Sequence, residues 1–300
     1  MCSSDGANWS PPLHTVVQAK ISKGDAVSDW VRLQHAAAQG AVCLVEVVAV
    51  QGSAPRATGA WMAVHAQGLI GSIGGGHLEW EAMRLAHEWL RQGLVGAPRT
   101  HRLALGPSLG QCCGGVVEIR LRAVSVDDVG VLGAHLQPSR VLVALFGAGH
   151  VGHALVRVLQ PLPFDVHWLD SRDAVFPAQT LPHVQCEHSD PVHDAVRTLA
   201  PQSLVLVMSF SHAEDLDVVS ACLRRQRMQG DMPFIGLIGS ATKWAVFQKR
   251  LAERGFGPAE VAHITCPIGM PGVPGKEPEA IAIAVAAQLL QLRQQQLQAD

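Results

Sequence analysis

The run Gly147-Ala148-Gly149-His150-Val151-Gly152 constrains the path of this chain more tightly than any other segment. It follows an apolar stretch at 141–146 and precedes an apolar-striped one at 151–159, so it reads as a turn from a strand into a helix. In such a unit the first glycine permits the tight turn and the second lets a pyrophosphate approach the backbone. The third allows close packing of helix on strand, and phosphate would sit on the helix N-terminus. Asp170 closes the next predicted strand, 165–169, where an acid can bind ribose hydroxyls, and Arg172 follows it as a contact for a ribose phosphate. Further strands are predicted over 204–208 and 233–238, each followed by a helical pattern, which is the signature of a doubly wound parallel sheet. A Rossmann fold does not by itself establish a bound dinucleotide. The chain has no tyrosine, hence no Tyr-x-x-x-Lys pair for hydride transfer. Ser211-His212 lies just past a strand end, and His212 reads equally well as a general base, a ligand contact or a plain loop histidine.

The composition of the chain shifts at Gln137-Pro138-Ser139, which divides it into a first domain over 1–137 and a Rossmann-like second domain over 138–300. The first is expected to be a small α/β (α+β) domain. A helix is predicted over 29–39, a buried strand over 41–50 and a hairpin from 61–64 and 69–73. A helix over 78–92 and a half-buried strand alternating from Val117 to Arg122 follow. Residues 1–25 are polar and unpatterned, and a last helix is predicted over 277–297. Three hundred residues, 48% of them hydrophobic and 16% charged, suffice for two such cores. A net charge of −2 without a basic stripe argues against nucleic acid and anionic membranes as partners. The start lacks a basic region followed by an apolar one, and the longest apolar run, 280–287, is too short to span a bilayer. Together with seven cysteines in no regular framework, this gives the expectation of a cytoplasmic protein with reduced thiols.

Two of those cysteines are adjacent, in Leu109-Gly110-Gln111-Cys112-Cys113-Gly114-Gly115. Neighbouring Cα atoms are about 3.8 Å apart, short of the roughly 4.4 Å lower limit of relaxed disulfides, so a bond between them would be strained. Gln111, Cys112 and Cys113 are therefore read as a thiol-bearing loop for a soft metal or for sulfur, with buried small hydrophobes as the alternative. If Cys113 keeps the register of the following strand, Cys112 is the more available thiol. Gly74-Gly75-Gly76, between a strand and a helix, is a second anion seat, with His77 and Glu79 at its rim. A tight turn usually needs one glycine, and three favour a ligand. Gly52-Ser53-Ala54-Pro55-Arg56 adds a small-residue loop whose Arg56 is a planar cation suited to phosphate.

At these four segments the sequence resembles the xanthine dehydrogenase accessory proteins of the XdhC/CoxI family. Ile238-Gly239-Ser240 with Lys243, Cys266-Pro267-Ile268-Gly269 and Lys276-Glu277-Pro278-Glu279-Ala280-Ile281-Ala282 extend the match almost to the end. Where other branches read Pro-Ile-Gly-Leu, this chain has Pro267-Ile268-Gly269-Met270. The resemblance implies a chaperone rather than an enzyme, with no catalytic residues. Its cargo would be the molybdenum cofactor, a pterin dithiolene with one phosphate. A cysteine desulfurase would sulfurate that cargo, and the apo form of a xanthine dehydrogenase, through its molybdenum-binding subunit, would receive it. The expected cofactor-binding residues are Arg56, Gly74, Gly75, Gly76, His77, Gln111, Cys112 and Cys113, with the two thiols on the metal. Gly147, Gly149, Gly152 and Asp170 are candidates for a dinucleotide. The apolar helix from Ala280 to Leu292 offers either a homodimer interface or core packing. Two competing readings are an NAD(P)-dependent oxidoreductase using the second domain and a regulatory nucleotide-binding protein.

Overall fold

The computed structural model describes residues 29–105, 114–137 and 139–299. Gln111, Cys112 and Cys113 lie outside the described residues, as do 1–28 and Pro138. The chain divides into two compact units at Gln137/Pro138.

The first unit is a five-stranded antiparallel sheet between two helical layers. Its strands are β1 (Val42–Gln51), β2 (Trp61–His65), β3 (Gly68–Gly71), β4 (Arg99–Ala104) and β5 (Val116–Val124), in the order β3-β2-β1-β5-β4. Side chains of a strand alternate between faces, and the apolar run of β1 is explained because both its faces are covered. Cys43, Val45 and Val47 pack with Leu78, Ala82, Ala86 and Trp89 of α2 (Gly76–Arg91). Val42 and Leu44 pack with Leu33 of α1 (Asp29–Gln39) and Val129 and Leu132 of α3 (Val126–Leu136). The predicted hairpin strand over 69–73 ends earlier, at Gly71, whose φ of +72° turns the chain out of the sheet. Neither β4 nor α3 was expected from the sequence. β4 is an edge strand with few apolar residues and an exposed alternate face. α3 is announced by a capping box in which Ser125 and Asp128 bond each other's backbone.

The second unit is a six-stranded parallel sheet: β6 (Val141–Phe146), β7 (Phe164–Asp170), β8 (Val184–His188), β9 (Leu204–Val207), β10 (Phe234–Leu237) and β11 (Ile264–Thr265). Its order, β11-β10-β9-β6-β7-β8, is the doubly wound arrangement with its switch between β6 and β9. Val143 and Leu145 of β6 face α4 (His150–Leu159) and α8 (Pro278–Ala299). Ala144 and Phe146 face α5 (His212–Gln229) and α6 (Ala241–Glu253). Ala282, Val285, Ala286 and Leu289 of α8 are buried in that core, so packing accounts for this face of the apolar helix. Beside them stand α7 (Pro258–Val261) and a 3-10 turn at Val192–Arg197. Among the described residues, no helix is long and apolar enough to cross a membrane.

One charge sits inside the first unit. Glu46 of β1 is 3% exposed, and its carboxylate accepts hydrogen bonds from Arg120 Nη2 at 2.8 Å and shares one with His135 Nε2 at 2.6 Å. Burial alone would raise its pKa, but those two partners outweigh it and hold the carboxyl below its ordinary 4.5. A depressed folded-state value contributes stability that is present above the unfolded value and is lost as pH falls through the folded one. Glu46→Ala should therefore cost about 1–3 kcal/mol at neutral pH. Urea unfolding across pH should show that difference from the parent narrowing as the pH drops below 4.5.

Candidate functional site

Three loops meet at one end of the first unit's sheet. Gly115, just before β5, lies so close to the loop after β1 that a Cβ on it would stand 2.3 Å from the Ser53 carbonyl oxygen and 2.8 Å from that of Gln51. Leu105 N donates to the Gly115 carbonyl at 2.7 Å, so the two ends of the segment 106–113 are tied to each other. A Cβ on Gly74 would stand 2.4 Å from Pro55 Cβ and 3.3 Å from Arg56 Cγ. The structure thus brings together Gly52–Arg56, the Gly74–Gly76 turn and Gly115, three segments far apart in sequence.

The triple glycine has a backbone cause: Gly74, Gly75 and Gly76 take φ of +120°, +75° and +62°, where L residues are strained. The amides of Gly74 and Gly75 are also spoken for. Glu79 Oε2 accepts from Ile73 N at 3.1 Å, Gly75 N at 3.0 Å and the Ser72 hydroxyl at 2.7 Å, while Ser72 Oγ accepts from Gly74 N at 3.1 Å. The anion seat read from the sequence holds the chain's own carboxylate. The groups left facing outward are the exposed Arg56, the His77 ring and Trp80, which is 57% exposed and lies 5.2 Å from His77, centroid to centroid. Sequence reasoning missed Trp80; its place one turn into α2, beside His77, was the available signal.

Burial raises each described thiol above its ordinary value, which lowers its thiolate fraction. Burial pushes Cys43 and Cys222 up to about 12 and also raises Cys186. Burial raises Cys266 too, with Lys243 opposing. Among the described residues, no group of three His, Cys, Asp or Glu side chains could hold a metal ion.

In the second unit Gly147 and Gly152 are demanded by the fold. A Cβ on Gly147 would stand 2.1 Å from the Met208 carbonyl oxygen, and one on Gly152 2.3 Å from that of Gly147. Trp168 Nε1 donates to the same Gly147 oxygen at 3.0 Å. Gly149 has an ordinary φ of −83°, and a Cβ there would meet nothing within 4 Å. Asp170 is 2% exposed and turned into the glycine turn. Its carboxylate accepts from Ala148 N at 2.6 Å and from Arg172 N, Nε and Nη2, each at 2.9 Å. These four bonds use the acceptor positions a carboxylate has, so none is left over for ribose hydroxyls. Burial would raise the Asp170 carboxyl, but Arg172 and Ala148 outweigh it and hold it low; Asp170 in turn raises Arg172, with a smaller contribution from Glu214. The Arg172 guanidinium stacks 5.2 Å from the centroid of Phe210, a ring 60% exposed just past β9 and also missed in the sequence. Ser211 caps α5 by accepting from Glu214 N, and His212 lies edge-on to Phe247. Deeper at the strand ends, Lys243 Nζ donates to Asp215 Oδ2 at 2.6 Å and to the Ile238 carbonyl at 2.8 Å. Asp215 Oδ1 accepts from Ser209 N and Oγ, and Cys266 lies beside this pair across Gly239.

Residues 35–102 match the family model described as XdhC and CoxI family, and residues 143–289 match the XdhC Rossmann domain. The chain is 27% identical over 261 residues to an Escherichia coli (strain K12) protein described as uncharacterized protein YqeB. That alignment covers 83% of the chain but only 43% of the relative, so the chain spans less than half the length of this curated relative. A Bacillus halodurans protein whose crystal structure is described as that of a xanthine dehydrogenase superposes with a TM-score of 0.71 at 21% identity. The superposition covers 89% of this chain and 96% of that one, a likeness of fold.

The glycine contacts predict a sharp contrast between neighbours. Gly115→Ala must displace the Ser53 carbonyl and should cost about 1–3 kcal/mol. Gly114→Ala, with nothing within 4 Å of its Cβ, should leave the thermal midpoint close to the parent's.

Proposed function

The chain belongs to the XdhC and CoxI family, and from that premise we propose that it carries the molybdenum cofactor to a xanthine dehydrogenase. The observation that supports this reading most is the meeting of Gly52–Arg56, the Gly74–Gly76 turn and Gly115 at one sheet end. Cys112 and Cys113 precede Gly115 by three residues and two along the chain. The cargo is a pterin dithiolene with a soft metal and one phosphate, and thiolate is a suitable partner for the metal. Arg56 and His77 are the side chains offered to the phosphate, because Ser72 and Glu79 already occupy the Gly74 and Gly75 amides. Burial raises the thiols of Cys43, Cys186, Cys222 and Cys266, which makes each of these four a less ready thiolate for this work.

In this reading the chain is an accessory protein without a reaction of its own. It shields the cargo while a cysteine desulfurase exchanges an oxo ligand for sulfido, then yields it to the apo enzyme. It works in the cytoplasm as a homodimer, with the exposed side of α8, Ile283 and Leu290, as the contact face. A Cys112→Ala/Cys113→Ala double variant should lose cofactor retention and activation of apo xanthine dehydrogenase by about tenfold or more, with its melting temperature unchanged. Normal activation by that variant would remove the dithiol from the account.

A further inference from the structure

The four described tryptophans of the first unit are not used alike. Trp89 is buried, and its indole N–H donates to the Val95 carbonyl at 3.1 Å. Trp61 is half-buried and donates to the Leu136 carbonyl at 2.9 Å, and Trp30 packs against the same cluster of buried residues. Trp80 does neither. It is 57% exposed, and its indole N–H meets no acceptor among the described residues. It follows Leu78 of the buried stripe by two residues, about 200° around α2, so it faces away from the core.

Two observations tie this ring to the candidate site. Cα–Cβ bonds of a helix tilt towards its N-terminus, so the Trp80 side chain lies over the turn before it. There the His77 ring meets it at 5.2 Å between centroids, tilted by 34°. That turn opens on Gly74–Gly76, which Glu79 holds in shape and which packs against Pro55 and Arg56. Arg56 makes no ion pair among the described residues. Further along the same side of α2 the neighbours are polar, Arg84 being engaged with Glu81 at 2.6 Å and Glu88 at 3.6 Å. A single ring among polar side chains is not the contiguous apolar patch that a protein partner covers. It suits a flat, polar heterocycle that needs one aromatic face.

We propose that Trp80 is the stacking surface for the pterin of the cargo, which lies on the indole face that His77 leaves open. This rests on the proposed function and adds to that site a group that reads neither the metal nor the phosphate. The thiols meet the metal and Arg56 the phosphate, whereas the indole meets the bicyclic ring between them. Two flat rings in offset contact hold one another without a covalent bond, so this contact yields when the cargo is handed on.

The test loads the parent, Trp80→Ala and Trp80→Phe proteins with freshly released cofactor, removes unbound material and follows release of pterin by fluorescence of its oxidised form. Trp80→Ala should release pterin about tenfold faster than the parent, with its melting temperature unchanged because the side chain is exposed. Trp80→Phe, which keeps an aromatic face, should release it within about threefold of the parent's rate. Equal retention by the parent and Trp80→Ala overturns the stacking while the cargo itself stands. Trp80→Phe releasing as fast as Trp80→Ala overturns it as well. So does a Trp80→Ala protein that keeps its pterin but no longer hands it to apo xanthine dehydrogenase, which would make Trp80 a protein contact. A parent that retains no pterin removes the cargo, and the stacking with it.

Discussion

Backbone pressed against backbone, where no side chain fits, is the constraint on which both units depend. At Gly147 the β6 turn lies against the carbonyl that ends β9, with only 2.1 Å available to a Cβ, and this contact closes the sheet at its switch point. Gly152 repeats the device one turn later and lets α4 lie down on β6 and β7, where Trp168 completes the seal. In the first unit Gly115 does the same against Ser53, holding the start of β5 against the loop after β1. Each contact forfeits side-chain packing at one residue and in return fixes where a loop must lie. Sites follow from those fixed loops, because functional groups on loops work only when a rigid scaffold places them.

Much of this was legible in the sequence where a pattern had a single physical cause. The glycine run at 147–152 gave the βα turn, and the apolar run of β1, interrupted by Glu46, gave a strand covered on both faces. Elements carried by polar residues were not legible. β4 and β8 contribute little to either core, and their pairing comes from backbone bonds to β5 and β7 that composition does not reveal. β11 has two residues and no periodicity to read. At the candidate sites the residue types were visible but their engagements were not. Asp170 carried the sequence signal of a ribose acceptor, yet Ala148 and Arg172 saturate it. Gly74–Gly76 signalled an anion seat, yet the anion is Glu79 and three positive φ values explain the glycines. Trp80 and Phe210 escaped notice because exposure is a tertiary property.

These engagements change how the chain can act. A carboxylate bonded into each glycine turn, Glu79 in the first unit and the buried Asp170 in the second, holds the loop in shape, and a preorganised surface loses less on ordering when a ligand binds. What remains open at each turn is a cation and an aromatic face: Arg56 with His77 and Trp80 in the first unit, Arg172 with Phe210 in the second. In the proposed function the first unit's anchor would be the thiols of Cys112 and Cys113, because a carrier that must release its load needs one bond that exchanges.

The central claim, that this chain holds the molybdenum cofactor, is tested most directly by mixing the purified protein with freshly released cofactor. After removal of unbound material, molybdenum is measured by metal analysis and pterin by fluorescence of its oxidised form. The account predicts molybdenum and pterin retained together, in amounts equimolar with the chain. Retention of neither, or of pterin without metal, would contradict it.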